Sequence, residues 1–330
     1  MKKYIAIIII LISISSYGEQ DKDFALPELG DRVSGAVSYN EEKIIGKEFL
    51  KQIYSQAPLI NDPLIQEYTE LLVYKLSEYS NVKDRKFTVL LINDDSLNAF
   101  AAPGGVIGVN GGLFLNADNE GQFSSVIAHE LAHLSQRHFA RNVLSSKDNS
   151  IGSSLTIISS IALALITNNP NAIAVGPALL QTQNLRYSRL FEKEADRVGF
   201  ANLVRAGYNP KSMGEMFENM NNLKRLSGDT PPEFLLTHPI TSSRVSDAFN
   251  AADQIEFTGG KKNTINFEFV KGRLKARYNS LSPQAAARYF EKLYKDIPNN
   301  ENKYAYISAL ESNGQTDQAL DAMSAILNKF

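Results

Sequence analysis

Apolar positions recur along this chain with two different periods, and the switches between them mark out its elements. Residues 41–79 carry apolar side chains at helical spacing, interrupted near Ala57-Pro58. Asn61-Asp62-Pro63 then opens a second helix with a capping residue followed by proline. Residues 87–92 (Phe-Thr-Val-Leu-Leu-Ile) are apolar and β-branched and predict a short strand. Residues 98–109 are uncharged and Gly-rich and predict a strand pair or strand edge, with glycines that let another backbone approach. Asn119, with Gln122 three residues later, is a capping-box pattern that starts a helix predicted to run to about Arg141. Further helices are predicted over 187–204, 210–226 and 244–253, with Pro231-Pro232 and Thr237-His238-Pro239 in the loop before the last.

Two apolar stretches need separate treatment. Lys2 and Lys3 precede an apolar run over residues 4–14, and Ser16-Tyr17-Gly18 offers small residues for cleavage after Gly18, so residues 1–18 read as a signal peptide. Residues 151–166 carry no charge and are followed, after Asn168-Asn169-Pro170, by a shorter apolar run over 172–180. Two membrane crossings do not fit these lengths, so the expectation is a non-spanning helical hairpin that can touch a membrane surface.

The pattern changes after 258–263 (Thr-Gly-Gly-Lys-Lys-Asn), the best linker candidate. Ala286, Phe290 and Leu293 recur as Ala319, Met323 and Ile326, each 33 residues on. That spacing is close to the tetratricopeptide period, and about two units fit. Arrays so short should lean on the preceding domain.

Composition narrows the chemistry. The chain has 330 residues, is 43% hydrophobic and 21% charged, and carries a formal net charge of −2, so it is globular with no sign of a nucleic-acid partner. It contains no cysteine, which excludes disulfides and leaves His and carboxylates as metal ligands. Of only four histidines, two fall in His129-Glu130-Leu131-Ala132-His133. Residues four apart lie about 40° apart around a helix, so both rings face one metal while Glu130 flanks it as general base. The pattern points to a zinc hydrolase, with Zn2+ activating water for attack on a peptide carbonyl.

A third protein ligand is needed. His138 lies five residues beyond His133, about 140° away on a continuous helix, which makes it a surface or second-layer group. Glu192 and Asp196 share a helix face, while Glu194 points elsewhere. One of the pair can bind zinc as the other accepts the second ring N–H of a ligating His.

Residues 129–141 (HELAHLSQRHFAR), the Glu192-xxx-Asp196 signature, residues 58–63 and Asn98-Ala99-Phe100 together resemble the BepA-type periplasmic metallopeptidases, HExxH…ExxxD zincins related to HtpX and the CAAX prenyl proteases. The resemblance implies zinc ligands His129, His133 and Glu192, Glu130 as catalytic base and Asp196 behind the ligands. Thr237-His238-Pro239 matches a loop of such proteins whose His is implied to be a fourth ligand that silences the enzyme. A role for His238 in transition-state stabilisation, or none, stays open. Arg244 can stabilise an oxyanion or pair with an acid.

The expected architecture is α+β and mainly α. A zincin-like metalloprotease domain with a small β-region spans 26–257, and a short α-helical tetratricopeptide-like tail spans 265–330. The tail is shorter than the resemblance leads one to expect. Substrate is expected to bind extended, on a strand edge within residues 101–109. The resemblance implies a periplasmic enzyme, peripheral to the outer membrane, acting in outer-membrane protein quality control. Its implied partners are unfolded or assembling β-barrel proteins and their assembly machinery. The rival reading is a proteolytically silent chaperone or scaffold with its repeats as binding module. Glu130 argues against it, since a structural zinc has no use for a base.

Overall fold

The structure is a computed structural model and describes residues 37–145, 189–226, 234–259 and 264–327. The predicted signal peptide (1–18) and apolar hairpin (151–180) lie outside the described residues. Among the described residues, no helix is long and apolar enough to cross a membrane.

The chain opens with helices α1 (Tyr39–Gln56) and α2 (Pro63–Ser77). Ser38 and Glu41 form a reciprocal capping box on α1. Asp62 caps α2, with Pro63 at its first turn. Three strands follow, β1 (Thr88–Ile92), β2 (Ala99–Ala102) and β3 (Val106–Asn110), in the order β1-β3-β2. β1 pairs parallel with β3, and β2 pairs antiparallel with it. β3 is therefore the central strand, buried along its whole length. This corrects one expectation: among the described residues, the open edge within 101–109 is carried by β2 alone, because both sides of β3 are taken.

The register also says which β2 groups face outward. Asn110 N–H donates to the Asn98 carbonyl at 3.0 Å. With Phe100 opposite Gly108 and Ala102 opposite Val106, alternation turns the polar groups of Asn98, Phe100 and Ala102 toward β3. Those of Ala99 and Ala101 face away. A Cβ at Gly108 would lie 2.0 Å from the Phe100 ring, which would have to move aside.

A short helix, α3 (Gly111–Asn116), leads into α4 (Glu120–Ser135). Asn119 accepts from Gln122 N–H as predicted, but the Gln122 side chain takes the N–H of Asp118. Every residue of α4 from Glu120 to His133 is buried, so it is wrapped on all sides, which explains its small and apolar residues all around.

The predicted continuation of α4 to Arg141 is interrupted. The helix ends at Ser135, Arg137 turns left-handed with φ of 50°, and a new helix α5 (His138–Ser145) begins. Arg137 is fixed in that turn from outside. Its guanidinium donates to the Val37 carbonyl at 2.6 Å, lies 3.3 Å from Glu42 and covers the Tyr39 ring. The turn sends His138 and Ala140 into the interior.

Beyond the undescribed segment come α6 (Arg189–Arg205), α7 (Lys211–Leu226), α8 (Phe234–Thr237) and α9 (Ser242–Asp253). Four more helices close the described chain: α10 (Ile265–Arg277), α11 (Pro283–Asp296), α12 (Asn300–Ser312) and α13 (Thr316–Leu327). The fold is thus α+β and mainly helical. α10 joins the main core through Phe267, Val270 and Leu274. Phe267 sits 5.6 Å from Phe123 and 6.4 Å from Phe114, pairs that each add about 0.5–1.5 kcal/mol beyond their burial. Thr264 hydrogen-bonds Glu120, Lys271 donates to the Ala117 carbonyl and Arg273 pairs with Asp62. The C-terminal helices are therefore anchored to the first residue of α4 and to the cap of α2.

Candidate metal centre

α4 contributes the first three side chains. His129 and His133, one turn apart and both buried, bring their Nε2 atoms to 3.0 Å. Glu130 is equally buried, and the outward N–H of Ala101 on β2 faces its carboxylate.

α6 crosses α4 at close range because Gly199 lies against His129: a Cβ there would be 3.0 Å from its N and Cα. This approach delivers Glu192 and Asp196. Glu192 Oε2 lies 3.5 Å from His129 Nε2, and Oε1 lies 3.5 Å from His133 Nε2. Asp196 Oδ1 lies 3.0 Å from the other ring nitrogen of His129, Nδ1. The sequence left open which acid faces the metal position and which the back of a His; the geometry puts Glu192 in front and Asp196 behind.

His238 enters from the loop after α8. Its N–H donates to Phe234 at 2.7 Å, and the two rings stack at 4.6 Å. His238 Nδ1 then lies 3.0 Å from Glu192 Oε1 and 3.5 Å from His129 Nε2, while Nε2 is 3.7 Å from Glu130. Arg244, at the start of α9, is buried with its donors engaged: Asp196, Glu192 Oε2 at 3.0 Å and the Pro239 carbonyl at 2.9 Å. Of the two roles left open for it, the structure shows the ion pair.

One ligand atom each from His129, His133, Glu192 and His238 fall within 4.8 Å of one another. Tetrahedral coordination with bonds of about 2.0–2.1 Å requires ligand atoms roughly 3.3 Å apart. The nearest approaches, 3.0 to 3.5 Å with both Glu192 oxygens counted, come close to that requirement. The donor set, three imidazoles and a carboxylate, suits a divalent cation of borderline softness. The buried Glu130 Oε1 has no hydrogen-bond partner.

The electrostatics agree with the geometry. Burial works against charge on Glu192, yet His238, His129 and His133 around it hold its pKa well below the usual carboxylate range. Burial, reinforced by neighbouring His129, keeps His133 neutral. Burial also disfavours a charge on His129, but Asp196 and Glu192 outweigh it and raise its pKa to about 9. Metal entry would therefore displace a proton from this ring. Burial raises the pKa of Glu130, which makes it a stronger proton acceptor.

Sequence reasoning missed one part of this centre and left another open. Phe234, which shelves His238, carries no signal in the sequence. Of the two places left open for His138, surface or second layer, the structure shows the second: it is buried against His133, within reach because the helix breaks at Arg137.

An open cleft beside His133 is lined by Ala101, Ala102 and the turn that follows them.

Comparison with known proteins adds the family. The model of peptidase family M48 matches residues 63–252. The chain is 32% identical to the Beta-barrel assembly-enhancing protease of Escherichia coli O157:H7, over 99% of this chain and 68% of that protein. It is 31% identical to the Putative beta-barrel assembly-enhancing protease of Vibrio cholerae, over 84% of this chain and 57% of the relative. The Mitochondrial metalloendopeptidase OMA1 of Saccharomyces cerevisiae matches 49% of the chain at 31% identity. With a buried His and Glu cluster of this shape gathered around its HExxH helix, this chain belongs to peptidase family M48 and is a metalloendopeptidase.

Proposed function

We propose that this metalloendopeptidase is a zinc enzyme, exported to the periplasm by residues 1–18, that hydrolyses unfolded or misassembled outer-membrane β-barrel proteins. The observation that carries the reading is the free edge of β2, which presents the Ala101 N–H beside Glu130. Such an edge suits a substrate that binds as an extended strand. Unassembled barrels expose unpaired strands of that kind. Relatives named for β-barrel assembly support the same substrate class.

His129, His133 and Glu192 would hold the zinc. Zinc bound there supplies the Lewis acidity that polarises the peptide carbonyl and lowers the pKa of water. Glu130 takes the proton of the attacking water and returns it to the leaving amine. Asp196, with Oδ1 3.0 Å from His129 Nδ1, favours the tautomer of His129 that carries its proton there. Arg244 positions rather than reacts: it neutralises Asp196 and Glu192 and tethers the His238 loop through Pro239.

His238 Nδ1 occupies the fourth ligand direction, the place a working site keeps open. The described geometry is then a closed, self-inhibited state, and His238 must withdraw before substrate enters. The helices after residue 265 are the module for partners in the assembly machinery, with two tetratricopeptide-like units, and give the protein a chaperone-like role. Membrane contact is peripheral.

The experiment compares proteolysis of an unfolded outer-membrane protein by wild type, Glu130→Gln and His238→Ala, with zinc content measured in each. Faster cutting by His238→Ala and none by Glu130→Gln is the expected result. If neither wild type nor His238→Ala cuts while zinc is bound, the reading is wrong.

A further inference from the structure

We propose that His138 is a positioning residue for the metal, holding His133 in the tautomer that leaves Nε2 free to bind. The inference rests on the reading of His133 as a ligand and extends the centre by one layer.

His138 Nδ1 lies 2.8 Å from His133 Nδ1, and the His138 ring is fully buried. Two ring nitrogens at that distance share one proton: one donates and the other accepts. The opposite nitrogen of His133, Nε2, faces the ligand cluster, 3.0 Å from His129 Nε2. A nitrogen bound to a metal carries no proton, so neutral His133 carries its own on Nδ1 and donates it to His138. His138 must then be unprotonated at Nδ1 and protonated at Nε2.

The surroundings of His138 favour that tautomer. Its Nε2 faces Glu194 Oε2 at 3.2 Å, and the same oxygen accepts from Arg141 at 2.8 Å. Phe191 stacks on the His138 ring at 4.6 Å with only 11° between planes. Phe191 immediately precedes Glu192, so the group that orients His133 is built onto the segment that carries another ligand. Glu194 does point away from the ligand cluster, and its partner there is His138.

The two α4 histidines are therefore braced differently. His129 is backed by the carboxylate of Asp196, His133 by a neutral imidazole that relays to Glu194 and Arg141. The left-handed turn at Arg137 makes the second arrangement possible, since on an unbroken helix His138 would face elsewhere.

The test uses the full chain loaded with zinc and dialysed against a graded series of chelator, with metal content read by elemental analysis. His138→Phe keeps a ring against Phe191 but offers no acceptor, and zinc retention should weaken about 10–100-fold. The visible spectrum of the cobalt-loaded variant should shift as well. His138→Asn places Oδ1 where Nδ1 stood and should retain zinc close to wild type. Equal retention by His138→Phe and wild type overturns the proposal, as does equal loss in the Phe and Asn variants. A measurement on the wild type needs no variant to fold: the shifts of isotope-labelled ring nitrogens should show His138 protonated at Nε2 only. Protonation at its Nδ1 overturns the proposal. His133→Ala separates the two levels, because zinc retention unchanged in that variant sinks the ligand reading itself.

Discussion

Arg244 holds Asp196 with two hydrogen bonds, Nε to Oδ2 at 2.6 Å and Nη2 to Oδ1 at 2.7 Å. Asp196 Oδ1 also faces His129 Nδ1, and a third guanidinium nitrogen reaches both Glu192 and the Pro239 carbonyl. One buried cation thus ties both α6 acids to the loop that carries His238. Removing it leaves two carboxylates short of a partner. Arg244→Ala should lower stability by about 3–5 kcal/mol, the range for breaking one side of a buried pair. Arg244→Ala/Asp196→Ala should lose less than the sum of the single changes, because the pair fails together. Denaturant unfolding of the metal-free proteins measures this cycle, and strict additivity would show that the two side chains do not act as a pair.

Glu130 is expected to act in chemistry rather than in metal binding, since its carboxylate faces Ala101 and His238 while Glu192 faces both ligand histidines. In a His238→Ala background, which on the proposed reading opens the fourth position, Glu130→Gln should lower kcat about 10²–10⁴-fold. Zinc content should not change. Cleavage of a quenched fluorescent peptide, assayed with metal content on the same samples, checks both halves. A variant that loses zinc along with activity would move Glu130 into the ligand set.

Much of this centre can be read from the sequence because it depends on local helical geometry. His129 and His133 fall one turn apart on one helix with Glu130 between them, as Glu192 and Asp196 fall one turn apart on another, and the period of 3.6 places them without knowledge of the fold. The caps at Asn119 and Asp62 are legible for the same reason. The environment of His138 is not, because it follows from a left-handed residue that is neither Gly nor Asn. Arg137 adopts that conformation for contacts with Val37, Tyr39 and Glu42, about a hundred positions away in sequence. The free edge belongs to β2 for a similar reason: only the parallel pairing of β1 with β3 makes β3 central, and no local pattern reports which neighbour a strand will choose.

Gly199 sets the distance between the two ligand helices. A Cβ at this position would lie 3.0 Å from the Ala128 carbonyl and from two backbone atoms of His129, none of which can give way like a side-chain tip. Gly199→Ala should destabilise the protein by about 1–3 kcal/mol through overpacking. It should also weaken zinc retention, because the helix that moves carries Glu192. Gly207→Ala is the comparison: φ is 84° there, but nothing lies within 4 Å of the added carbon. That variant should lose about 1–2 kcal/mol from backbone strain and keep its zinc. Thermal melts and chelator titrations on both separate helix spacing from general loss of stability.

The turn at Arg137 can be tested apart from its side-chain contacts. Arg137→Ala and Arg137→Gly both remove the guanidinium from Val37, Glu42 and Tyr39, so both should be less stable than wild type. They differ at the backbone, where φ is 50° and only glycine adopts it without strain. Arg137→Gly should therefore exceed Arg137→Ala in stability by about 1–2 kcal/mol, measured by denaturant unfolding. The alanine variant also has an escape route: continuing α4 as a regular helix through residue 137 relieves the strain but swings His138 away from His133. Its zinc retention should then fall below that of the glycine variant, with the nitrogen signals of His138 shifted. Equal stability and equal zinc retention in the two variants would mean that the left-handed turn is not what sets the place of His138.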